Sequence, residues 1–265
     1  QEDGAIFVFF FVFLPIDVFK RRRDMKRIVL AAAVALTAFV RINAQVTTAE
    51  RYFELEQLPD LYAILPPHPA FDSPEFVNDQ VHYLWGRQQR QDSVRLAQAI
   101  ADAEWDDHVL CYAQWKEAFG LEINEHDTPE IWRLLENSMA TVNPMLQGIK
   151  AQYARQRPFL RYNDPMPTHE EDGLRNNGSY PSGHSLRGWC ISLILSQVAP
   201  ARANDLFRRG WDYCESRVIV GAHWQSDVDA SRSAASIAYC ALQNSEAFCK
   251  QMRKAQQEYQ KKTRK

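Results

Sequence analysis

Past residue 44 this chain has no run of about 18 consecutive apolar residues, the length a membrane-spanning helix requires, so no stable membrane insertion is expected there. Cysteine is sparse: five residues, at 111, 190, 214, 240 and 249, with no CxxC pair and no His/Cys spacing suited to a metal. An odd number of thiols cannot all pair, which excludes a small disulfide framework, and no metal or cofactor is expected. Charge of one sign is also missing. With 31 Lys+Arg against 33 Asp+Glu and a net charge of −2, nothing electrostatic calls for a nucleic-acid partner. No internal repeat occurs, and no alternation of apolar and polar residues marks a strand. What is present is a globular composition, 46% hydrophobic and 24% charged, which rules out disorder, collagen and coiled-coil arrays. The length, 265 residues, suits one large domain or two small ones once leading segments are removed.

The first 44 residues read as targeting sequence. Residues 5–16 (AIFVFFFVFLPI) are apolar but too short to cross a bilayer. KRRRDMKR at 20–27 then leads into IVLAAAVALTAFV at 28–40. From Met25, Lys26 and Arg27 form a basic n-region, residues 28–40 an apolar h-region, and Ile42-Asn43-Ala44 a cleavage site. Residues 1–24 are then an upstream or non-native segment, 25–44 a signal peptide, and 45–265 the domain of an exported protein, periplasmic or secreted. A two-segment membrane anchor is the alternative. The segment through residue 44 is net basic, so the domain after it is more acidic than the whole chain.

Residues 58–74 (LPDLYAILPPHPAFDSP) hold five prolines and read as an extended arm without helix. From Glu75 the signals are helical. Phe76, Val77, Val81 and Leu84 keep helical spacing, and Ser93 is positioned to cap a second segment carrying Leu96, Ala97 and Ile100. Trp105 to Phe119 reads as a third, closed by Gly120. Thr128-Pro129-Glu130 starts a fourth, which Pro144 should kink or split. Residues 161–180 form a long polar loop, of a length that is usually functional or disordered. Helices are expected over about 183–198, 201–220 and 223–242, with a basic-ended helix to Lys265. The expected fold class is all-α, a single-domain helical bundle.

Three clusters carry chemistry. Lys150 and Arg157 (followed by Pro158) lie seven apart, two turns along one helix face; alone, a solvated basic face accounts for them. Pro181-Ser182-Gly183-His184 ends the long loop and opens an apolar helix. Its free N–H groups and positive dipole end suit a phosphate, Gly183 permits close approach, and His184 points into the same space; a capped helix with a surface histidine is the bland alternative. In Ser216-Arg217-x5-His223-x3-Asp227, His223 and Asp227 share a helix face. Asp227 can hold Nδ1–H of His223 and leave Nε2 as a nucleophile, while Arg217 offers a planar donor to phosphate oxygens. A structural His–Asp pair is the alternative. Taken together, the cations, backbone donors, two histidines and one carboxylate fit metal-free phosphoryl transfer.

Lys-x6-Arg-Pro, Pro-Ser-Gly-His and Ser-Arg-x5-His-x3-Asp, in that order, are the three-part signature of the type 2 phosphatidic acid phosphatase and vanadium haloperoxidase superfamily. Within it the chain resembles bacterial class A non-specific acid phosphatases, through LPPHPAFDSPEFVNDQ (65–80), GSYPSGHS (178–185) and SRVIVGAHWQSDVDA (216–230). The likeness runs from about Leu65 to the C-terminal helix. It implies the helical fold of that superfamily and hydrolysis of phosphate monoesters through a phosphohistidine. His223 would attack phosphorus, Asp227 would orient it, and His184 would protonate the leaving alcohol and then activate water. Lys150, Arg157, Arg217, Ser182 and the Gly183 amide would hold the phosphoryl oxygens. On this reading His223 enters neutral and His184 charged, giving a bell-shaped pH profile with an acid optimum. Small phosphorylated substrates and a homo-oligomer are also implied. Arg187 and Val220 depart from the family's pattern and put substrate preference in question.

Other readings differ in class: a nucleotide-directed phosphatase, a vanadium haloperoxidase, a membrane-embedded lipid phosphatase, or a phosphate-binding protein without turnover. His68, His82, His108, His126 and His169 lack partner spacing, and the aromatics at 85, 105, 112, 115 and 132 read as packing residues, as does Trp224.

Overall fold

The computed structural model describes residues 49–264, which belong to one compact unit beginning at Ala49. The upstream segment and signal peptide expected over residues 1–44 lie outside the described residues. Among those described there is no strand, and no helix is long and apolar enough to cross a membrane. The longer elements are α1 (Phe76–Gln89), α2 (Ser93–Ala101), α3 (His108–Ala113), α4 (Lys116–Phe119) and α5 (Pro129–Val142). They continue with α6 (Gln147–Tyr153), α7 (Gly183–Val198), α8 (Ala203–Ile219), α9 (Gln225–Leu242) and α10 (Glu246–Thr263). This is the all-α architecture expected.

Helix α7 is the centre of the bundle. It packs against α8, α9 and α10, and α5 packs against α10. Being covered on several sides explains why α7 is apolar nearly all round: Leu186, Cys190, Ile191, Ile194 and Leu195 are all fully buried. The five cysteines are free thiols, three of them buried.

Several local expectations change. The proline-rich arm contains one helical turn, Leu61–Ile64, because the stretch between Pro59 and Pro66 is proline-free and Asp60 caps Tyr62 N–H at 2.9 Å. Asp92, not Ser93, caps α2, and the segment from Trp105 breaks into α3 and α4 around Gln114. Pro144 does split its helix, with a 3-10 turn over Asn143–Leu146 between α5 and α6. Thr128 precedes α5, but its side chain makes no cap bond there. The first-turn N–H groups of Glu130 and Ile131 go instead to the Glu258 carboxylate of α10, tying the two helices together.

The largest correction concerns α1. Val77, Val81 and Leu84 face outward, and the buried stripe is Phe76, Asp79, Tyr83 and Gly86, which keeps equally good helical spacing. A polar stripe won because it serves the interior. Gly86 lies against the backbone of α8, where a Cβ would sit 2.9 Å from Val218 O and 3.2 Å from Ile219 Cα. Replacing glycine by alanine within an exposed helix stabilises by up to about 1 kcal/mol. Gly86→Ala is expected to do the opposite. Neither backbone neighbour can yield, so overpacking should cost about 1–3 kcal/mol. Thermal unfolding would show a drop of roughly 2–4 °C per kcal/mol; an unchanged or raised Tm would contradict this close approach.

Candidate active site

The spacing between Arg217 and His223 is set by how α8 ends. Gly221 has φ +79°, a left-handed conformation that favours glycine. Its N–H donates to Val218 O (3.0 Å) and that of Ala222 to Arg217 O (3.1 Å), the paired bonds of a Schellman turn. His223 N–H then also donates to Arg217 O at 3.2 Å, so the chain folds back beside the turn that carries Arg217. Helix α9 starts at Gln225 and brings Asp227 under His223.

The His–Asp pair is buried. His223 Nδ1 lies 3.4 Å from Asp227 Oδ2 and 3.5 Å from Ser179 Oγ, while Nε2 is 3.1 Å from Arg157 Nη1. A guanidinium only donates, so Nε2 must accept there and the ring proton of neutral His223 sits on Nδ1. Burial holds the His223 imidazole well below its ordinary pKa, and Arg157 adds to this against the opposing hydrogen bond to Asp227. Asp227 Oδ2 also accepts from Trp224 N (2.8 Å) and from Ser179 Oγ. Burial favours the neutral acid, but the hydrogen bond to His223 and the charge of Arg155 outweigh it and keep the carboxyl well below the usual range.

Lys150 and Arg157 do not share a helix, contrary to the spacing argument. Helix α6 stops at Tyr153, Ala154 turns left-handed (φ 41°), and Arg157 is the residue preceding the next helical turn, Pro158–Arg161. That bend still brings the two cations together, since Lys150 Nζ (2.9 Å) and Arg157 Nη2 (3.3 Å) both donate to Gly178 O. Other donors of Arg157 go to Leu174, Asn177 and Ala222 carbonyls. Burial and the neighbouring Arg157 lower Lys150 to about 7, and burial and Arg217 lower Arg157 to about 10.

Ser182 caps α7, accepting from Ser185 N at 3.2 Å, and its own N–H donates to Asp227 O at 3.2 Å. This bond seats the Pro-Ser-Gly-His turn on the start of α9. Beside Gly183 the space is open. His184 Nε2 donates to Ala103 O (3.0 Å), and its Nδ1 accepts from Arg187 Nη2 (3.3 Å). Arg187 in turn stacks on Trp105, with Cζ 3.6 Å from the ring centroid. So Trp105 is more than a packing residue. Trp224, by contrast, is buried against Phe76 and Phe71, as expected. The expectation that His184 is charged before substrate enters does not hold. Burial, then Arg217 and Arg187, push its pKa well below the ordinary value.

Arg217 is fully buried. Its Nη2 donates to Glu170 Oε1 at 2.6 Å, while Nε and Nη1 have no partner. Glu104, Trp105, Asp106, His169, Glu170 and His184 are among the residues lining a cleft of about 620 Å³. His169, which has no partner spacing in the sequence, thus stands in the cleft wall. The long loop over 161–180 therefore supplies a carboxylate to the arginine and a wall to the cleft.

Sequence reasoning missed Asp79, Arg155, Ser179 and Glu170. Asp79 had one usable signal, an acid in register with Phe76 and Tyr83 on a helix. Arg155 lies between Lys150 and Arg157, and nothing local to the sequence sets it apart as a partner of Asp227. Among the described residues, no group of three or more His, Cys, Asp and Glu side chains is arranged to hold a metal ion.

The PAP2 superfamily model matches residues 133–245, a span that contains all eight of the expected site residues. The chain is 41% identical over 212 residues to a non-specific acid phosphatase of Providencia stuartii, covering 79% of this chain and 85% of that protein. It is 37% identical over 222 residues to one of Salmonella typhimurium (82% and 88%), and 31% identical over 231 residues to an acid phosphatase of Zymomonas mobilis (86% of each). With motifs, helical architecture and near-complete coverage in agreement, the chain belongs to the non-specific acid phosphatases of the PAP2 superfamily.

Proposed function

We propose that this protein is an exported, metal-independent acid phosphatase that hydrolyses phosphate monoesters through a phosphohistidine at His223. Family membership makes it a phosphomonoester hydrolase. The observation that carries the mechanism is the pair of unpartnered donors on buried Arg217 beside a His–Asp pair. Each buried donor left unsatisfied costs about 1–3 kcal/mol, and a phosphoryl group with its acceptor oxygens removes that cost.

The Nε2 lone pair of His223 forms the P–N bond as the ester P–O bond breaks. His184 gives a proton to the departing oxygen; its Nε2–H, held by Ala103 O at the cleft wall, is the proton available. A phosphate dianion among Arg217 and Arg187 offsets the charges that depress His184, so substrate itself restores the charged acid. Water, losing its proton to His184, then attacks phosphorus, the P–N bond breaks, and phosphate leaves. Lys150, Arg157, Arg217, Ser182 and the Gly183 amide hold the phosphoryl oxygens throughout. Glu104, Asp106 and Glu170 disfavour leaving groups that carry further phosphates, which ranks simple monoesters above nucleoside polyphosphates. The signal read at 25–44 directs the domain to the periplasm or the medium. The exposed row Val77, Val81 and Leu84 supports the homo-oligomer suggested by the resemblance.

Hydrolysis of p-nitrophenyl phosphate between about pH 4 and pH 8 tests this reading. Activity should survive EDTA and fall with vanadate. Because Lys150 loses its charge as pH rises through about 7, kcat/KM should fall on the alkaline side of that value. A rate that climbs steadily above pH 7, or collapses with EDTA, would overturn the proposal. If vanadate binds without any turnover, bromide oxidation with peroxide is the next assay.

A further inference from the structure

A buried carboxylate needs a counter-charge, and a histidine nucleophile cannot provide it. If Asp227 were balanced by a proton on His223, the Nε2 lone pair would be lost to the imidazolium. The structure places a different cation on the far oxygen of Asp227. Arg155 Nη1 donates to Asp227 Oδ1 at 2.5 Å and to Ser226 Oγ at 2.8 Å, and its Nη2 donates to Asp79 Oδ2 at 2.7 Å. The side chains of Arg155, Asp79 and Asp227 have no exposed surface. Asp79 reaches in from α1 and also accepts from Ser226 N and Ser226 Oγ, both at 2.7 Å. The Arg155 guanidinium lies between aromatic rings, 5.6 Å from Trp224 and 5.8 Å from Phe71.

The backbone joins this arrangement too. Arg155 O accepts from Ser179 N at 2.8 Å, and Ser179 Oγ donates to the other oxygen of Asp227. Arg155 therefore grips Asp227 Oδ1 directly and fixes the residue that grips Oδ2. Around Asp227 the charged and titratable groups are His223 from its own segment, Lys150 of α6, Arg155 and Arg157 from the stretch after α6, Tyr180 ahead of the Pro-Ser-Gly-His turn, and Asp79 beyond Arg155. Among the described residues, Arg155 is the one Lys or Arg that hydrogen-bonds the Asp227 carboxylate.

We propose that Arg155, anchored by Asp79, is a positioning residue for the nucleophile: it balances and aims the Asp227 carboxylate so that His223 stays neutral with Nε2 turned to phosphorus. This rests on the assignment of His223 above. Arg155 touches no group of the cleft and is not assigned to phosphate.

The test compares Asp79→Asn, Arg155→Lys and Arg155→Gln with the parent, measuring kcat and KM for p-nitrophenyl phosphate across pH and the inhibition constant for inorganic phosphate. Arg155→Gln should lose about 10²-fold in kcat, the cost typical of a misplaced reacting group, with phosphate inhibition moved less than about 3-fold. Arg155→Lys should recover part of the loss. In Arg155→Gln the acid limb of kcat/KM should move upward, because Asp227 without its arginine takes a proton at higher pH. Asp79→Asn, which preserves shape, should lose less and keep the same KM-against-kcat split; it carries the test if Arg155→Gln does not fold. Parental kcat and acid limb in a folded Arg155→Gln or Asp79→Asn overturn the proposal, as does a loss matched by equal weakening of phosphate. Trapping of a phosphoenzyme with an alkaline denaturing quench, which preserves an acid-labile P–N bond, separates the two layers. A parent that never labels refutes His223 as nucleophile, whereas a labelling parent with variants that label just as fast refutes Arg155 alone.

Discussion

A His223→Ala variant is expected to lose turnover of p-nitrophenyl phosphate by at least about 10⁴-fold, the scale on which removal of a covalent nucleophile acts. Inorganic phosphate should still bind. Lys150, Arg157 and Arg217 are held by Gly178 O, by backbone carbonyls and by Glu170, none of which depends on the imidazole. One contact is lost, the one between Arg157 Nη1 and His223 Nε2, but Ala222 O still holds that nitrogen at 2.9 Å. The two readouts together are decisive. Lost turnover with retained inhibition locates His223 in the chemical step, while substantial turnover in the variant would remove it from that role and leave the Asp227 network without its purpose.

His184→Ala should behave differently. With an alkyl phosphate the departing alkoxide needs a proton, and loss of a general acid should cost about 10²–10⁴-fold. With p-nitrophenyl phosphate the leaving group is already stable as an anion, so the first step should be nearly spared. Water activation is still impaired, so the phosphoenzyme should accumulate and product should appear as a burst. An equal loss with both esters and no burst would contradict the acid role and point to a binding defect instead. In the structure His184 lines the cleft, with one nitrogen on Ala103 O and the other on Arg187.

The order of the helices, the split at Pro144, the cap at Ser182 and the closing basic helix were all legible in the sequence. Each follows from chemistry local to a few residues: a ring that cannot donate, a hydroxyl that satisfies a free N–H, an apolar stretch between polar ends. The three motifs were legible too, although His223 and Asp227 do not share a helix face as the spacing suggested: His223 precedes α9, the first turn of α9 brings Asp227 to it, and the Gly221 turn fixes Arg217 to them across six residues.

What the sequence left undecided is which helix face turns inward and which charges meet across the fold. Two stripes of α1 have helical spacing, and hydrophobicity favoured Val77, Val81 and Leu84. Only the tertiary structure selected Asp79 and Gly86, because one supplies a carboxylate to Arg155 and the other admits the backbone of α8. Likewise nothing local distinguishes Arg155 from Arg157, although one balances Asp227 from behind and the other faces His223 Nε2. Nor does the chain itself show that Glu170 ends on Arg217, 47 residues away. Local sequence determined the motif residues and most of the helices around them. Long-range packing decided their charge states and their aim, since burial and the sign of neighbouring charges exist only once the chain has closed around them.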